Sequence, residues 1–249
     1  MRLALLAVVL VAPALAPAAQ PAPDALVDAW RRGWQAASRT VDRVALDEAL
    51  TRRVEGPRGT ATLETRGTVS FDAGAPGGRA VRRLRSATVD GREVDVDRVA
   101  ELDRRLVRAF GGGSEESARP PLLPSVALAR ATAVGVQGDA VDGRPAWRVA
   151  LRMPDARPGR RGRPSRPDRA EAWFTRSADA PRLLRIRVEG DRPHGAAFAR
   201  TVEYDRTDGL DLPSAMATTI EVRQRRRLRV YATTVATEAR YRRPVIVRR

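Results

Sequence analysis

Several residue types are missing from this sequence of 249 residues, and each absence excludes a kind of chemistry. Without cysteine there is no disulfide framework, no thiolate metal ligand and no thiol nucleophile. Without lysine, Schiff-base catalysis and a P-loop lysine are excluded. The single histidine, His194, cannot build a multi-histidine metal site. We therefore expect neither a metal nor a cofactor.

The positive charge of the chain comes from arginine alone. The 46 basic residues exceed the 30 acidic ones, so the formal net charge is +16. Asparagine is missing along with lysine, and this joint absence indicates a nucleotide-composition bias that favours arginine. The apolar fraction of 43% is too high for a disordered chain.

Residues 1–19 have the order of a secretory signal peptide. A positive start at residues 1–2 precedes an apolar run at 3–15 and small residues at 16–18. The run is shorter than the roughly 20 residues of a spanning helix, and Pro13 and Pro17 disfavour an uncleaved anchor. No cysteine follows that could carry a lipid. We expect a cleaved, periplasmic protein without a lipid anchor.

Residues 20–249 are expected to form one domain, and two segments in it have helical spacing. Leu26, Trp30, Trp34 and Ala37 recur at intervals of three and four behind Asp24, a predicted N-cap. A second helix is predicted from Val99, Leu102, Leu106 and Phe110, ending at glycines 111–113.

Most of the remaining segments alternate between apolar and polar residues, which is typical of half-buried strands. The strands are predicted around 61–71, 81–89, 147–153, 184–188, 216–222 and 228–241. Turn pairs at 90–91, 142–143 and 208–209 separate consecutive strands, and the segments 111–124 and 155–169 are predicted loops. The chain is thus α+β but mainly β: a curled antiparallel sheet covered by two helices. The enclosed space is either packed core or a ligand cavity.

Two sets of residues are candidates for binding. The first would line an apolar cavity and mixes aromatic and aliphatic side chains: Trp30, Trp34, Trp147, Val149, Leu151, Met153, Trp173, Ile186 and Val188. The alternative for these residues is ordinary core. The second set would contact an anionic membrane surface: Arg157, Arg160, Arg161, Arg163, Arg225, Arg226 and Arg227. The alternative for these arginines is a solvated loop in an arginine-biased sequence.

No catalytic constellation is found. His194 lies in a proline–glycine turn, and no G-x-S-x-G elbow is present. Asp95, Asp97 and Asp103 lack the glycine and closing glutamate of a calcium loop and are better placed to interact with a helix N-terminus. Nucleic-acid binding is not expected, because the 157–169 stretch has no aromatic residue for stacking.

Three phrases in the second half carry a family resemblance. They are Asp-Gly-Arg-Pro-Ala-Trp-Arg-Val at 142–149, Glu-Ala-Trp-Phe at 171–174, and Thr-Val-Glu-Tyr-Asp at 201–205 followed by Gly-Leu-Asp-Leu-Pro at 209–213. In this order the sequence resembles the LolA-like outer-membrane lipoprotein-sorting superfamily. The resemblance implies an incomplete β-barrel closed by helices, with an apolar cavity that carries lipoprotein acyl chains or other lipids. It implies no enzyme activity.

From these features we expect a monomeric, non-enzymatic binder or carrier of lipid or lipidated protein in the periplasm. The alternative is an envelope interaction or structural module with a filled core, which docks on acidic partners through its arginine-rich surfaces.

Overall fold

The architecture is one antiparallel sheet of eleven strands with helices packed on one of its faces. It is seen in a computed structural model that describes residues 20–57, 59–72, 80–109, 123–128, 131–152, 169–177, 179–192, 196–226 and 229–249. The predicted signal peptide and His194 lie outside these residues.

The helices are α1 Pro23–Ser38, α2 Val99–Ala109 and α3 Pro124–Leu128, and a 3₁₀ turn, Val96–Arg98, precedes α2. The strands are β1 Val41–Gly56, β2 Gly59–Asp72, β3 Ala80–Val89, β4 Arg92–Glu93, β5 Thr132–Val141, β6 Arg144–Arg152, β7 Arg169–Thr175, β8 Leu183–Arg192, β9 Ala196–Thr207, β10 Leu210–Arg226 and β11 Arg229–Arg248.

The strand order is β4-β3-β2-β1-β11-β10-β9-β8-β7-β6-β5. All neighbours are antiparallel, and β11 pairs with β1, so the first and last strands of the chain meet inside the sheet. In the described part of the chain the two edge strands, β4 and β5, do not pair with each other. The sheet is therefore not closed, and it fits the predicted incomplete β-barrel. Helices α2 and α3 belong to the segment that connects the two edges.

Helix α1 shows the predicted apolar stripe. Leu26, Trp30 and Trp34 are buried. The predicted N-cap was wrong by two residues, because Pro23 takes the first helical turn and Ala22 becomes the N-cap. Proline is favoured there because its fixed φ suits the helix, and because a backbone N–H in the first turn would have no intrahelical partner. Asp24 instead lies in the first turn, where the helix dipole favours a carboxylate.

The three predicted turn pairs each form a tight hairpin. In Asp90-Gly91, Asp142-Gly143 and Asp208-Gly209 both residues have positive φ, between 48° and 82°. Two consecutive positive values are the requirement of a type I′ turn, whose twist matches that of the flanking strands. These turns fix the register of β3 with β4, β5 with β6, and β9 with β10.

The longest strand that the sequence pattern did not assign is β1. Its side chains on the helix-covered face include Glu48 and Arg52, which are buried although charged. They interrupt the apolar alternation of Val44, Leu46 and Leu50, so the hydrophobicity pattern does not identify this strand. Helix α3 lies partly in the predicted 111–124 loop, since it starts at Pro124.

Candidate ligand-binding face

The sheet face that α1 covers is called here the inner face. At the end where α1 lies, apolar side chains of nine strands pack with helix residues into a large cluster, the upper cluster. Trp30 stands at its centre, with ring centroids 5.9 Å from Trp34 and 6.2 Å from Phe174. Leu123 and Leu128, at the two ends of the α3 region, complete the cover. The helices thus bury the upper end of the inner face.

A buried carboxylate fixes α1 to the sheet. Asp211 Oδ2 accepts a hydrogen bond from Trp30 Nε1 at 2.8 Å and from the backbone N–H of Leu183 at 3.0 Å. Arg206 binds the same carboxylate with two nitrogens, at 2.8 and 2.9 Å. One side chain of β10 therefore holds α1, the start of β8 and the end of β9 together.

A second apolar group occupies the opposite end of the inner face. This lower cluster consists of Val54, Ala196, Phe198, Ile220, Val222 and Val235. Among the described residues its members come only from strands β1, β9, β10 and β11.

Charged side chains interrupt the inner face, and we define the charged belt as Glu48, Arg52, Arg82, Asp103 and Arg200. Arg52 and Arg200 lie between the two clusters, whereas Glu48 lies beside Leu46 and Leu50 of the upper cluster. Glu48 is paired with Arg82, whose Nη2 lies 2.8 Å from Glu48 Oε1. Arg52 is 1% exposed and forms an ion pair with Asp103 of α2. Burial lowers the pKa of the Arg52 guanidinium, and the Asp103 carboxylate opposes that shift. Taking such charges out of water is unfavourable, so an apolar core alone gives no reason for them.

The belt continues across the sheet as one cross-strand row. Arg52 stands opposite Thr237, Thr237 opposite Thr218, and Thr218 opposite Arg200. Three strand spacings separate the two arginines, or about 14 Å between their backbones. Arg200 Nε donates to Thr218 Oγ1 at 3.1 Å. The Thr237 hydroxyl is buried and has no hydrogen-bond partner in the described part of the chain.

Two buried tyrosines, Tyr204 and Tyr241, lie close to the belt. Burial raises the pKa of both hydroxyls well above the ordinary value, and the Arg200 charge acts on both in the opposite direction. Glu48 adds to the rise at Tyr241. Both side chains are therefore neutral at physiological pH, which leaves the arginines as the charged donors of this region.

Helix α2 lies over the edge of the belt. Val99, its first residue, packs against Leu63 and Ala87 of β2 and β3. Asp103, one turn further, makes the ion pair with Arg52. Helix α2 is thus attached to the sheet partly by a polar contact, whereas α1 is attached through a large apolar stripe.

The structure brings most of the predicted cavity residues together. Trp30, Trp34, Trp147, Val149, Leu151 and Ile186 all belong to the upper cluster, and Val188 borders both clusters. In β6, Trp147 also lies under the Arg176 guanidinium, 4.8 Å from its ring centroid. Met153 lies outside the described residues.

Trp173 is an exception. It stands opposite Arg148 and Arg185 in the sheet, whereas its neighbours Ala172 and Phe174 face the upper cluster. Its ring packs with Val141, Ala146 and Leu184 on the other face, and its Nε1 donates to Asp139 at 2.9 Å. This hydrogen bond holds the pKa of the Asp139 carboxyl below its usual value. The assignment of Trp173 to the cavity face was wrong, because successive residues of a strand point to opposite faces.

Most of the arginines predicted to contact an anionic surface lie outside the described residues: Arg157, Arg160, Arg161, Arg163 and Arg227. The other two, Arg225 and Arg226, are the last residues of β10. Sequence reasoning missed Asp211 and the charged belt. The available signal was charged residues at positions of β1 that alternation assigns to the buried face.

A separate cleft of about 360 Å³ lies beside the bulge between Arg66 and Gly67. Residues of β2, β3 and the segment before α2 line it, including Glu64, Arg85 and Glu93. None of the predicted cavity residues contributes to it.

Within the described ranges, no group of three or more acidic or histidine side chains is arranged to hold a metal ion. The helices of the same ranges include none with the length and apolar character needed to cross a membrane.

Comparison with known proteins gives structural matches only. No family profile matches the chain, and no curated protein matches it significantly. One similar solved structure is described as an outer membrane lipoprotein-sorting protein domain from Vibrio parahaemolyticus, with 9% identity and a TM-score of 0.40; 88% of this chain and 91% of that chain are covered.

Two other matches have low scores as well. A DUF1329 family protein from Desulfovibrio piger ATCC 29098 has 13% identity and a TM-score of 0.37, with 88% of this chain and 92% of that chain covered. MucB of the Pseudomonas aeruginosa MucA/MucB complex has 13% identity and a TM-score of 0.19, with 86% and 93% covered.

Proposed function

We propose that this chain is a periplasmic, non-enzymatic carrier that binds the acyl chains of a lipid or lipidated protein on the inner face of its open sheet. The observation that carries the proposal is the polar row of Arg52, Thr237, Thr218 and Arg200, which separates the two apolar clusters. A filled structural core is stabilised by apolar contacts, and buried ion pairs seldom improve it. An amphiphilic ligand, in contrast, needs an apolar protein surface for its chain and polar protein groups for its headgroup, separated by no more than the length of the ligand.

The acyl chain would lie on the aliphatic part of the inner face. Leu151 and Val188 lie in the cross-strand row that contains Arg200, and Ile186 lies in the adjacent row, so a chain lying on them ends at the belt. Burying apolar area contributes about 25 cal/mol per Å², which makes a long acyl chain the main source of affinity.

The polar end of the ligand would meet the row of Arg52, Thr237, Thr218 and Arg200. Guanidinium groups bind phosphate and carboxylate oxygens through paired hydrogen bonds. The buried Thr237 hydroxyl, which has no protein partner in the described residues, would donate to the same group.

Entry of the ligand would proceed beneath α2. Its Asp103 pairs with Arg52 and would exchange this contact for one with solvent when the helix moves aside. An anionic headgroup would then take the place of Asp103 at Arg52.

The tryptophans provide a direct test, because Trp147 is on the inner face and Trp173 on the outer face. A brominated fatty acid quenches tryptophan fluorescence only over short range. We expect it to quench the full chain, to quench the Trp147→Phe variant less, and to quench the Trp173→Phe variant by at least the wild-type fraction.

The same fatty acid without bromine is the control for indirect effects. Equal quenching by both fatty acids, or quenching that disappears in Trp173→Phe and persists in Trp147→Phe, would contradict the proposed site.

A second function is favoured by the close packing of Trp30, Trp34 and Phe174 in the upper cluster. If the whole inner face is filled in this way, the chain is a ligand-free module of the cell envelope that docks through arginine-rich surfaces. Such a module would show no bromine-dependent quenching.

A further inference from the structure

The outer face of the sheet carries exposed valines at both ends of a cross-strand row that spans four strands. Val81 of β3 stands opposite Ser70, Ser70 opposite Ala45, and Ala45 opposite Val245 of β11. Val247 follows two residues along β11 on the same face. Val81, Val245 and Val247 are 46%, 58% and 46% exposed. The described residues include only four large hydrophobic side chains this exposed, and three of them lie here.

Arginines surround these valines. Together with Val81, Ala45, Val245 and Val247 they form what we call the outer patch: Arg43, Arg83 and Arg242 by strand register, and Arg85, Arg243 and Arg249 by their ion pairs with aspartates of β1. The acidic residues of this surface are Asp42, Asp47 and Asp72, which pair with Arg249, Arg85 and Arg43. Six arginines against three aspartates leave a net charge of +3.

Two of the arginines are not neutralised locally. Arg83 stands opposite Thr68, and Arg242 stands opposite Asp47 on the next strand. Both are exposed, and within the described ranges neither has a carboxylate at ion-pair distance. Asp47 is already in contact with Arg85, and Arg243 lies 3.9 Å from it. The patch therefore presents free cationic groups beside exposed valines.

We propose that the outer patch docks on an anionic phospholipid surface. Exposed apolar side chains enter the headgroup boundary, and arginines around them bind lipid phosphates. Each cation close to an anionic leaflet adds to the attraction, and the net charge of the whole chain, +16, acts in the same direction. The patch has no aromatic residue for base stacking, so nucleic acid is a poorer fit.

This surface is distinct from the inner face, because Val245 and Val247 flank Ile246, which packs against the upper cluster. It is also distinct from the arginines that end β10. Docking would bring the carrier to a membrane while leaving the inner face turned away from the lipid surface. Docking through the outer patch does not depend on whether the inner face binds a lipid.

The experiment is co-sedimentation of the purified full chain with vesicles. Vesicles of pure phosphatidylcholine are compared with vesicles of phosphatidylcholine and phosphatidylglycerol in equal parts. We expect binding to the mixed vesicles, weakening as salt is added, and little binding to phosphatidylcholine.

Two variants test the patch itself. R83Q/R242Q should weaken binding to the mixed vesicles about twenty-five-fold, since each arginine near an anionic surface contributes about fivefold. V245T/V247T keeps the β-branched shape and should weaken binding about fivefold by removing exposed apolar groups. Because all four side chains are exposed, the variants should keep the thermal unfolding midpoint of the parent chain.

The matched controls lie elsewhere on the sheet. V134T alters the exposed valine of β5, and R144Q/R182Q alters two exposed arginines, at the start of β6 and just before β8; both should bind as the parent chain does. R225Q/R226Q tests the competing arginines at the end of β10. Three results would overturn the proposal: equal binding to both vesicle types, loss of binding in R225Q/R226Q but not in R83Q/R242Q, or a dimer in sedimentation velocity that V245T/V247T dissociates. The last result would assign the patch to a second copy of the chain.

Discussion

At the scale of single residues, the buried side chain of Asp211 connects three elements of the structure. Its carboxylate, 1% exposed, receives hydrogen bonds from Trp30, Leu183 and Arg206. A buried carboxylate with this many donors is stable only while all of them are in place. Asp211 therefore holds α1 against strands β8, β9 and β10, and the position of α1 in turn shapes the inner face.

Replacing Asp211 by Asn should lower the free energy of unfolding by about 3 kcal/mol, because it leaves the Arg206 cation partly buried without its counter-charge. Urea unfolding followed by circular dichroism measures the change. Asp208→Asn is the matched control three residues earlier. Its side chain is 61% exposed and 3.8 Å from Arg248, so it should change stability by less than about 0.5 kcal/mol. Equal effects of the two substitutions would contradict this role of Asp211.

Tyr204 and Tyr241 should determine how the protein responds to alkali. Their pKa values are raised in the folded state, so the stability that their burial allows is complete below the unfolded value, about 10, and is lost as the pH rises above it. The chain has no lysine or cysteine, so few other groups titrate in this range.

We expect stability to fall from about pH 10 to pH 12 and the fall to be smaller in Tyr204→Phe and Tyr241→Phe. Thermal unfolding midpoints across this range measure the effect, with pH 7 as the reference for any change unrelated to ionisation. A variant whose loss of stability parallels that of the parent chain would show that the substituted tyrosine is not responsible.

At the scale of secondary-structure elements, the bulge between β2 and β3 places a glycine where no other residue fits. A Cβ on Gly67 would come 2.2 Å from the backbone oxygen of Arg83. Gly67 stands opposite Glu48 in β1, so the close approach of β3 brings Arg82 to Glu48 and sets one end of the charged belt.

Gly67→Ala should therefore destabilise the protein by about 3 kcal/mol or more, because the clash is with backbone and the strands must separate. Gly135→Ala is the control, since a Cβ there has nothing within 4 Å and should have an effect below about 1 kcal/mol. Chemical denaturation of both variants measures the difference. Tolerance of alanine at Gly67 would mean that β3 does not approach β2 as closely as described.

Helices α1 and α2 contact the sheet in different ways. Helix α1 buries Leu26, Trp30 and Trp34 and carries a hydrogen bond to Asp211. Among the described side chains of α2, Val99 packs against the sheet and Asp103 forms the ion pair with Arg52. The proposed entry route requires α2 to move aside while α1 stays in place.

At the scale of the whole molecule, the sequence predicts the architecture well where apolar alternation is regular. Trp147, Val149 and Leu151 share a buried face, as do Met216, Ile220 and Val222. Paired turn residues such as Asp142 and Gly143 require positive φ, so they mark the hairpins directly. Together these signals predict an antiparallel meander curled under helices.

The remaining features depend on contacts between distant residues. Glu48 and Arg52 make β1 look polar, and only the folded sheet supplies their partners Arg82 and Asp103. Trp173 was assigned to the wrong face, because two apolar residues in succession, Trp173 and Phe174, leave the alternation of a short strand ambiguous. The pairing of β1 with β11 has no local sequence signal at all.

The central claim is that the inner face binds an amphiphile, and native lipid extraction tests it most directly. The chain is expressed with its own residues 1–19, purified from the exported fraction without detergent, and extracted for lipid mass spectrometry. We predict a lipid or acyl-chain species in amounts comparable to the protein. A stably folded protein that yields no lipid, and that also shows no bromine-dependent quenching by the fatty acid, would contradict the carrier function and favour the ligand-free envelope module.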